Sequence, residues 1–391
     1  MKAYVLHDIN DLRFEEVARP LLQAHSVLVR VEAVGICGSD IPRIFYHGAH
    51  RMPLIPGHEF AGTVVDVGSA IGLGNRAEAG AGKSTGAGAQ SAGKSAAKSA
   101  GNNSWLGKRV GIFPLIPCMS CPQCLKKQYE MCKKYDYLGS RSDGGFAEYV
   151  AVPEWNLLEL PEQVSFEQAA MLEPASVAMH AIRSIAAASG RGDLGETAGI
   201  GAETTVAVCG LGTIGLLVAM QLKGMGVERV FVLGNKDAQR QMAARIGIEE
   251  ACFCDTRKED AKRWIMDQTD GAGVDVFFEC IGKTEIVELG LEAVAAGGCV
   301  MLVGNPASDV ALKRDVYWQI LRKQLTVKGT WNSSFWHAED DDWNLVLRAI
   351  KEGRIHPEEL ITHRFALQEL YKGMEIMRDK SEDYVKIMAV R

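Results

Sequence analysis

What the chain lacks narrows the field first. Charges interrupt every apolar run before it reaches bilayer-spanning length, so no membrane helix is expected. The opening MKAYVLHDINDLRFEE contains no long apolar segment of the secretory kind, and a cytosolic, cytoplasmic protein is the expectation. No dense basic patch is visible, and a net charge of −6 gives no general field for polyanions, so neither nucleic acid nor a membrane surface is an expected partner. Between residues 69 and 104 there is no aromatic side chain and no apolar periodicity. The stretch is mainly Gly, Ala, Ser and Lys, and it reads as a long, exposed, low-complexity inserted loop that should be removable without loss of metal or activity.

That insert contains GAQSAGKS, residues 88–95, which fits the phosphate-loop pattern G-x-x-x-x-G-K-[ST]. The pattern works only where a strand delivers a tight glycine turn and a helix follows, so that backbone N–H groups wrap the phosphates. Nothing before Gly88 reads as that strand, and SAAKSAGNNS after it has no large apolar side chain with which to pack a helix. GAGKST at 80–85 nearly repeats the match, as a biased tract would by chance. A nucleoside triphosphatase, whose hydrolysis would be lost on Lys94→Ala, is therefore a remote reading.

What is present suits a two-domain protein. At 391 residues the chain can bury two cores. SVLVRVEAV (26–34), FAGTVVDVG (60–68) and LGKRVGIF after the insert read as strands, so the first part is mainly β. From about 165 helical patterns begin, and after a second Gly/Ala-rich stretch at 187–203 the runs TTVAVC, RVFVLG, VDVFFECIG and GCVMLVG alternate with helix-length segments. That alternation predicts an α/β domain with a doubly wound parallel sheet over roughly 176–330. The tail from 331 to 391 is expected to rejoin the first part, residues 1–175, as one mainly-β catalytic domain.

Within the α/β part, Gly210-Leu-Gly212-Thr213-Ile214-Gly215 is G-x-G-x-x-G between a strand, VAVC, and an apolar helix, IGLLVAMQL. The first glycine permits the turn, the second lets a pyrophosphate approach, and the third brings helix and strand together. A carboxylate about twenty positions on would accept a hydrogen bond from the ribose of NAD. Gly234 stands there instead, followed by Asn235 and Lys236, with Arg240 beyond. The absent negative charge and the nearby cations tilt the expectation slightly from NAD to NADP, although Asp237 weakens the positive field.

Ten cysteines in a large chain with no export signal point to metal rather than disulfides. Cys118-x2-Cys121-x2-Cys124-x7-Cys132 supplies four thiolates at spacings that close around a structural zinc, with an iron–sulfur cluster as the main rival. Cys209, Cys252, Cys254, Cys280 and Cys299 sit in apolar surroundings and read as small core residues. A second group of candidates is Cys37 in GICGSD, His58 and Glu59 in PGHEFAG, and Glu173 in MLEPASV. Each alone is as readily structural as ligating; their order along the chain raises the odds.

These motifs together, VGICGSD, PGHEFAG, the four-cysteine lobe, DGGFAEY, LEPASV and GLGTIG, resemble the zinc-dependent medium-chain dehydrogenase/reductase superfamily through nearly the whole chain. CGSDIPRIF with GAH at 48–50, KYDYLGSRSDGGFAEY and LRKQLTVKGTW are similar to the galactitol-phosphate dehydrogenases of its polyol dehydrogenase branch. The resemblance implies a GroES-like mainly-β catalytic domain beside a Rossmann domain. It also implies two zinc ions per subunit and a homodimer or homotetramer. By it, Cys37, His58 and Glu173 hold a catalytic zinc, Glu59 joins or exchanges as a ligand, Asp40 orients the zinc histidine, and Ser39 passes the substrate proton onward. Pro42 stands where many relatives carry a relay histidine, so proton exit beyond Ser39 must take another route.

The implied activity is hydride transfer between NAD(P) and the secondary alcohol of a sugar alcohol or sugar-alcohol phosphate. The galactitol 1-phosphate to tagatose 6-phosphate type is the specific expectation. Arg43 and Arg141, with His50 and Arg51 behind them, are the candidate cations for a substrate phosphate; their alternative is ordinary surface ion pairing. A threonine or simple secondary alcohol or diol dehydrogenase is the runner-up, and a non-catalytic, zinc-stabilised cofactor-binding protein is the reading from another class.

Overall fold

The fold was described from a computed structural model, which describes residues 1–71, 105–188 and 199–391. Residues 72–104, with the GAQSAGKS octet and nearly all of the expected inserted loop, lie outside the described residues.

The β-branched runs form a seven-stranded sheet. Its order is Ile361–Phe365, Lys386–Val390, Ser26–Ile36, Glu59–Val67, Arg109–Ile112 and Leu157–Glu159, with Tyr149–Pro153 also paired to Ser26–Ile36. Ser26–Ile36 is its centre: eleven residues long, mostly buried, and antiparallel to each of its three partners. Strands buried this fully read as near-continuous apolar runs, which is why SVLVRVEAV was legible. The two strands of the chain's tail thus pair within the sheet formed by its beginning.

The second sheet is all parallel and six-stranded: Phe253–Asp255, Val230–Gly234, Val206–Cys209, Val274–Glu279, Val294–Leu302 and Thr326–Gly329. Numbered by sequence this is the 3-2-1-4-5-6 order of a doubly wound dinucleotide fold, and its order reverses between Val206–Cys209 and Val274–Glu279. Ligands bind at that switch point, beyond the carboxyl ends of the strands.

The helix Leu172–Ala188 runs unbroken across residues 175 and 176, where the two domains were expected to meet. It packs on helices Thr213–Gly224 and Asp342–Lys351. The side chain of the buried Gln221 donates to the Ala175 carbonyl at 2.8 Å, which gives its amide nitrogen a partner inside the helix seam. An aromatic group, Phe113, Phe335 and Trp343, ties the tail to the first sheet, with Phe113 edge-on to Trp343 at 5.5 Å. Edge-to-face pairs add about 0.5–1.5 kcal/mol each beyond the area they bury. The Trp343 indole donates to Ser333, so its polar atom is satisfied inside the core.

Candidate active site

Sheet register assembles the first cluster. Gly35 pairs with Glu59 and Ile36 with Ile387, so the ends of three strands bring Cys37, His58, Glu59 and Lys386 side by side. Ligand atoms of Cys37, His58 and Glu59 all lie within 4.8 Å of one another. A Cβ on Gly35 would stand 2.4 Å from Glu59 Oε2, so only glycine leaves room for that carboxylate. Thiol, imidazole and carboxylate are the donor set of a zinc site with an open position.

Each member is anchored separately. Asp40, fully buried, accepts from the Cys37 amide at 3.0 Å and from Arg43 at 2.5 Å, and lies 3.5 Å from His58 Nδ1. Burial works to raise its proton affinity, but His58, Arg43 and the Cys37 amide outweigh it and keep Asp40 ionised. Burial likewise disfavours a charged His58, yet Asp40 and Cys37 raise its pKa well above the ordinary value. His58 Nδ1 makes no directed hydrogen bond, so Asp40 holds the ring by charge across 3.5 Å. Ser39, exposed at the mouth, donates to Cys37 Sγ at 3.3 Å, and Pro42 ends the short helical turn that follows.

Glu173 belongs to the same site without being in the tight group. It opens the helix Leu172–Ala188 and accepts from the Tyr137 hydroxyl at 3.1 Å. Burial first, and the second carboxylate of Glu59, push its pKa up to about 7 against the pull of His58. The Tyr137 ring stands 5.7 Å from that of His58. Tyr137 and Lys386 are functional residues that sequence reasoning missed. Lys386, buried, donates to Glu59 at 2.5 Å and to the Ile36 carbonyl at 3.1 Å. Its signal was legible in VKIMAV, where a lysine interrupts an otherwise apolar strand; a buried lysine must have a partner.

The four cysteines of the second cluster converge around the short helix Pro122–Leu125, with all four sulfurs within 4.8 Å. Measured pairs are 3.5 Å for Cys121–Cys124 and 3.9 Å for both Cys118–Cys124 and Cys121–Cys132. Tetrahedral zinc thiolate with bonds of about 2.3 Å has an S···S edge of about 3.8 Å, so the cage fits the metal. The Ser120 amide draws the Cys118 thiol down to about 6, towards the thiolate that a metal requires. All ten cysteines are free of disulfides; Cys209, Cys254 and Cys299 are buried as expected, while Cys252 and Cys280 are partly exposed.

The glycine turn lies at the switch point. Gly210 has φ +102°, open only to glycine at low cost, and a Cβ on Gly215 would meet the Gly210 carbonyl at 2.0 Å. Gly212 faces open space and caps the helix Thr213–Gly224 with no side-chain hydrogen bond, leaving its first N–H groups for a ligand. Ile214, in the first turn, packs half-buried against the core. A cavity of about 330 Å³ runs from this turn past Gly234, Asn235 and Gln239. Gln239 bonds the Asn235 amide at 2.9 Å, and a Cβ on Gly234 would press on the same oxygen. Lys236 pairs with Asp383 at 2.8 Å, both about half exposed, whereas Arg240 is engaged with Glu250 and Asp255.

Two adjacent residues join the turn to the metal cluster. Thr213 Oγ1 donates to the Val385 carbonyl at 2.7 Å, and the next residue, Lys386, holds Glu59.

Comparison with known proteins agrees with this geometry. Residues 23–162 match the Alcohol dehydrogenase GroES-like domain family and residues 213–352 the Zinc-binding dehydrogenase family. The chain is 30% identical to galactitol 1-phosphate 5-dehydrogenase of Escherichia coli (strain K12), over 90% of this chain and 88% of that one. The crystal structure of galactitol-1-phosphate dehydrogenase from Escherichia coli superposes with a TM-score of 0.81 at 28% identity, covering all of both chains. A zinc-binding dehydrogenase from Sinorhizobium meliloti 1021 bound to NADP gives 0.80 at 27%, covering 100% of this chain and 99% of that one. With a GroES-like sheet that gathers Cys37, His58 and Glu59 and a Rossmann sheet that presents its glycine turn beside them, the chain belongs to the zinc-binding medium-chain alcohol dehydrogenases and is an oxidoreductase.

Proposed function

We propose that the enzyme oxidises the secondary alcohol of a sugar alcohol or sugar-alcohol phosphate, of the galactitol 1-phosphate to tagatose 6-phosphate type, using NAD or NADP. The observation that carries this is the junction at Val385 and Lys386. One bonds the first helical residue of the glycine turn and the other the carboxylate beside Cys37 and His58, so cofactor turn and metal residues are joined through two adjacent residues.

Cys37, His58 and Glu173 would hold a catalytic zinc, with Glu59 as joining or exchanging ligand, and Cys118, Cys121, Cys124 and Cys132 a structural one. Bound zinc supplies the Lewis acidity that makes a substrate hydroxyl acidic enough to lose its proton as its carbon loses hydride. Asp40 fixes His58, and Lys386 holds Glu59 until it is needed. Ser39 takes the proton at its hydroxyl; Pro42 offers no imidazole beyond it, so the proton continues through water or the cofactor ribose. Gly210, Gly212, Thr213, Ile214 and Gly215 seat the pyrophosphate.

Asn235 and Lys236 favour NADP slightly. The Lys236–Asp383 pair is half exposed and worth little, so a 2′-phosphate can replace the aspartate. The domain division is 1–175 with 331–391, and 176–330. Tyr317, Trp318, Leu321 and Trp331 are exposed around the edge strand Thr326–Gly329, which supports a homodimer or homotetramer through that face. Cysteines free of disulfides support a cytoplasmic location.

Initial rates with galactitol 1-phosphate, sorbitol, threonine and 2,3-butanediol, each with both cofactors, test the reading. Turnover of the polyol or its phosphate, lost on chelation and restored by zinc, is expected. A preference for threonine or butanediol would transfer the enzyme to the runner-up class, and no zinc-dependent NAD(P)⁺ reduction at all would leave only a cofactor-binding protein. Light scattering that gave a monomer would overturn the assembly.

A further inference from the structure

We propose that Arg141, with His50 beside it, forms the subsite that takes a phosphate monoester carried by the substrate. This rests on the sugar-alcohol phosphate reading above and assigns the residues that would make phosphate matter.

Of the three arginines among the phosphate candidates, two are already engaged. Arg43 is ion-paired with the buried Asp40 at 2.5 Å and is itself mostly buried. Arg51 bonds Asp143 at 3.0 Å and the Arg141 carbonyl at 2.8 Å. Arg141 is different: its guanidinium has no hydrogen bond or ion pair among the described residues, and its Nε is buried without a partner. A buried donor left unpaired is costly, more so when charged, and a ligand oxygen would supply the acceptor this one lacks. Planar guanidinium donors match the oxygens of phosphate in pairs.

Position points the same way. Arg141 lies 4.6 Å over the ring of Tyr135, which is 6.2 Å from that of Tyr137, and Tyr137 bonds Glu173 and flanks His58. A second path runs from His58 through Asp40 to Arg43. Arg51, the residue after His50, bonds the Arg141 carbonyl and Asp143, which brings the chain segment of His50 against residues 141–143. Burial and the fields of Arg141 and Arg43 keep this exposed imidazole below its ordinary pKa; a bound dianion would relieve that repulsion. Because two rings stand between Arg141 and His58, the phosphate must sit on a carbon well removed from the reacting hydroxyl. A linear polyol phosphate meets that condition. The cofactor's pyrophosphate has its own turn, at Gly210–Gly215.

The test compares galactitol 1-phosphate with galactitol in the wild type, Arg141→Gln and Arg141→Lys, with inorganic phosphate as a probe. Expected is a fall of about tenfold or more in the ratio of kcat/KM values, phosphorylated over unphosphorylated, in Arg141→Gln, mainly through KM. Arg141→Lys should recover part of it. Phosphate should compete with the polyol and not with the cofactor, and more weakly in Arg141→Gln. Zinc content and melting temperature verify the fold; if the Gln variant is unfolded, the Lys variant must still show the lowered ratio. A wild type that prefers the phosphorylated substrate and an Arg141→Gln variant that keeps the preference would overturn the subsite alone. A wild type indifferent to phosphate would overturn the substrate reading beneath it, and phosphate competing only with cofactor would overturn the subsite by moving the anion to the glycine turn.

Discussion

The two cysteine-bearing clusters are built on opposite plans. Cys118, Cys121, Cys124 and Cys132 come from one short stretch and offer four like donors with no position to spare. Cys37, the adjacent pair His58 and Glu59, and Glu173 come from three separate segments, offer three kinds of donor, and each has a different neighbour: Ser39, Asp40, Lys386 and Tyr137. Four equivalent thiolates make a cage whose loss is a folding event. A set of individually anchored donors can yield one position without the rest collapsing, and a position that opens is what a substrate oxygen requires.

Exchanging one cysteine in each cluster is the strongest test of that contrast. Cys37→Ser should lower kcat at least about 100-fold while the melting temperature moves little, since the neighbours keep their own anchors. Cys124→Ser should do the reverse to stability: one metal equivalent lost and several kcal/mol of folding free energy with it, because structural zinc binding is itself folding free energy. Calorimetry, metal analysis and rates on the same preparations decide it. An active, destabilised Cys37→Ser together with a stable, inactive Cys124→Ser would invert the comparison.

A smaller effect is expected where the catalytic cluster contains a charge pair the cysteine lobe has no need of. Lys386 and Glu59 are both almost wholly buried and bonded at 2.5 Å. Lys386→Met leaves a buried carboxylate without its cation, which costs about 3–5 kcal/mol. Adding Glu59→Gln should return most of that stability, because removing both charges removes the penalty. Chemical denaturation of the two variants checks this; a double variant no more stable than Lys386→Met would show that Lys386 acts through packing instead.

The same contrast explains what could be read from sequence. The cysteine lobe is local, so spacing alone identified it. The glycine turn is also local, and its flanking strand and helix were visible in VAVC and IGLLVAMQL. Cys37, His58 and Glu173 were raised by their order along the chain and assigned as ligands only through motif resemblance: the register that sets Cys37 beside His58 and Glu59 is the pairing of Gly35 with Glu59, and no spacing rule encodes a register between distant strands. Arg43 is the instructive case: proximity to Cys37 made it a phosphate candidate, but the partner that engages it, Asp40, lies one turn away and was assigned only to the histidine. Tyr137 and Lys386 went unremarked because a tyrosine and a lysine carry no metal-binding signature; their roles come from what they hold.

The clusters nevertheless meet electrostatically at one helix, and the smallest expected effect lies there. Helix Leu172–Ala188 begins with Glu173 and, two turns on, carries His180, which bonds Asp342 at 2.8 Å beside Arg183 at 2.9 Å. Glu130, between two of the lobe's cysteines, is buried and lies within the field of both His180 and Asp342. Burial lowers the affinity of His180 for its proton, but the hydrogen bond and charge of Asp342 outweigh this and raise its pKa. A group whose folded pKa is raised stabilises the protein fully below the unfolded value, about 6.5, and that contribution is lost as pH rises through the folded value. His180→Gln should therefore cost about 1–3 kcal/mol at pH 6 and less at pH 9, because the charged contribution shrinks as pH rises through the raised folded value. If melting temperatures at the two pH values fall equally, the seam is held by packing alone. If the loss at pH 6 also releases metal from the cysteine cage, the two clusters are coupled through this helix, and their independence extends only to their donors.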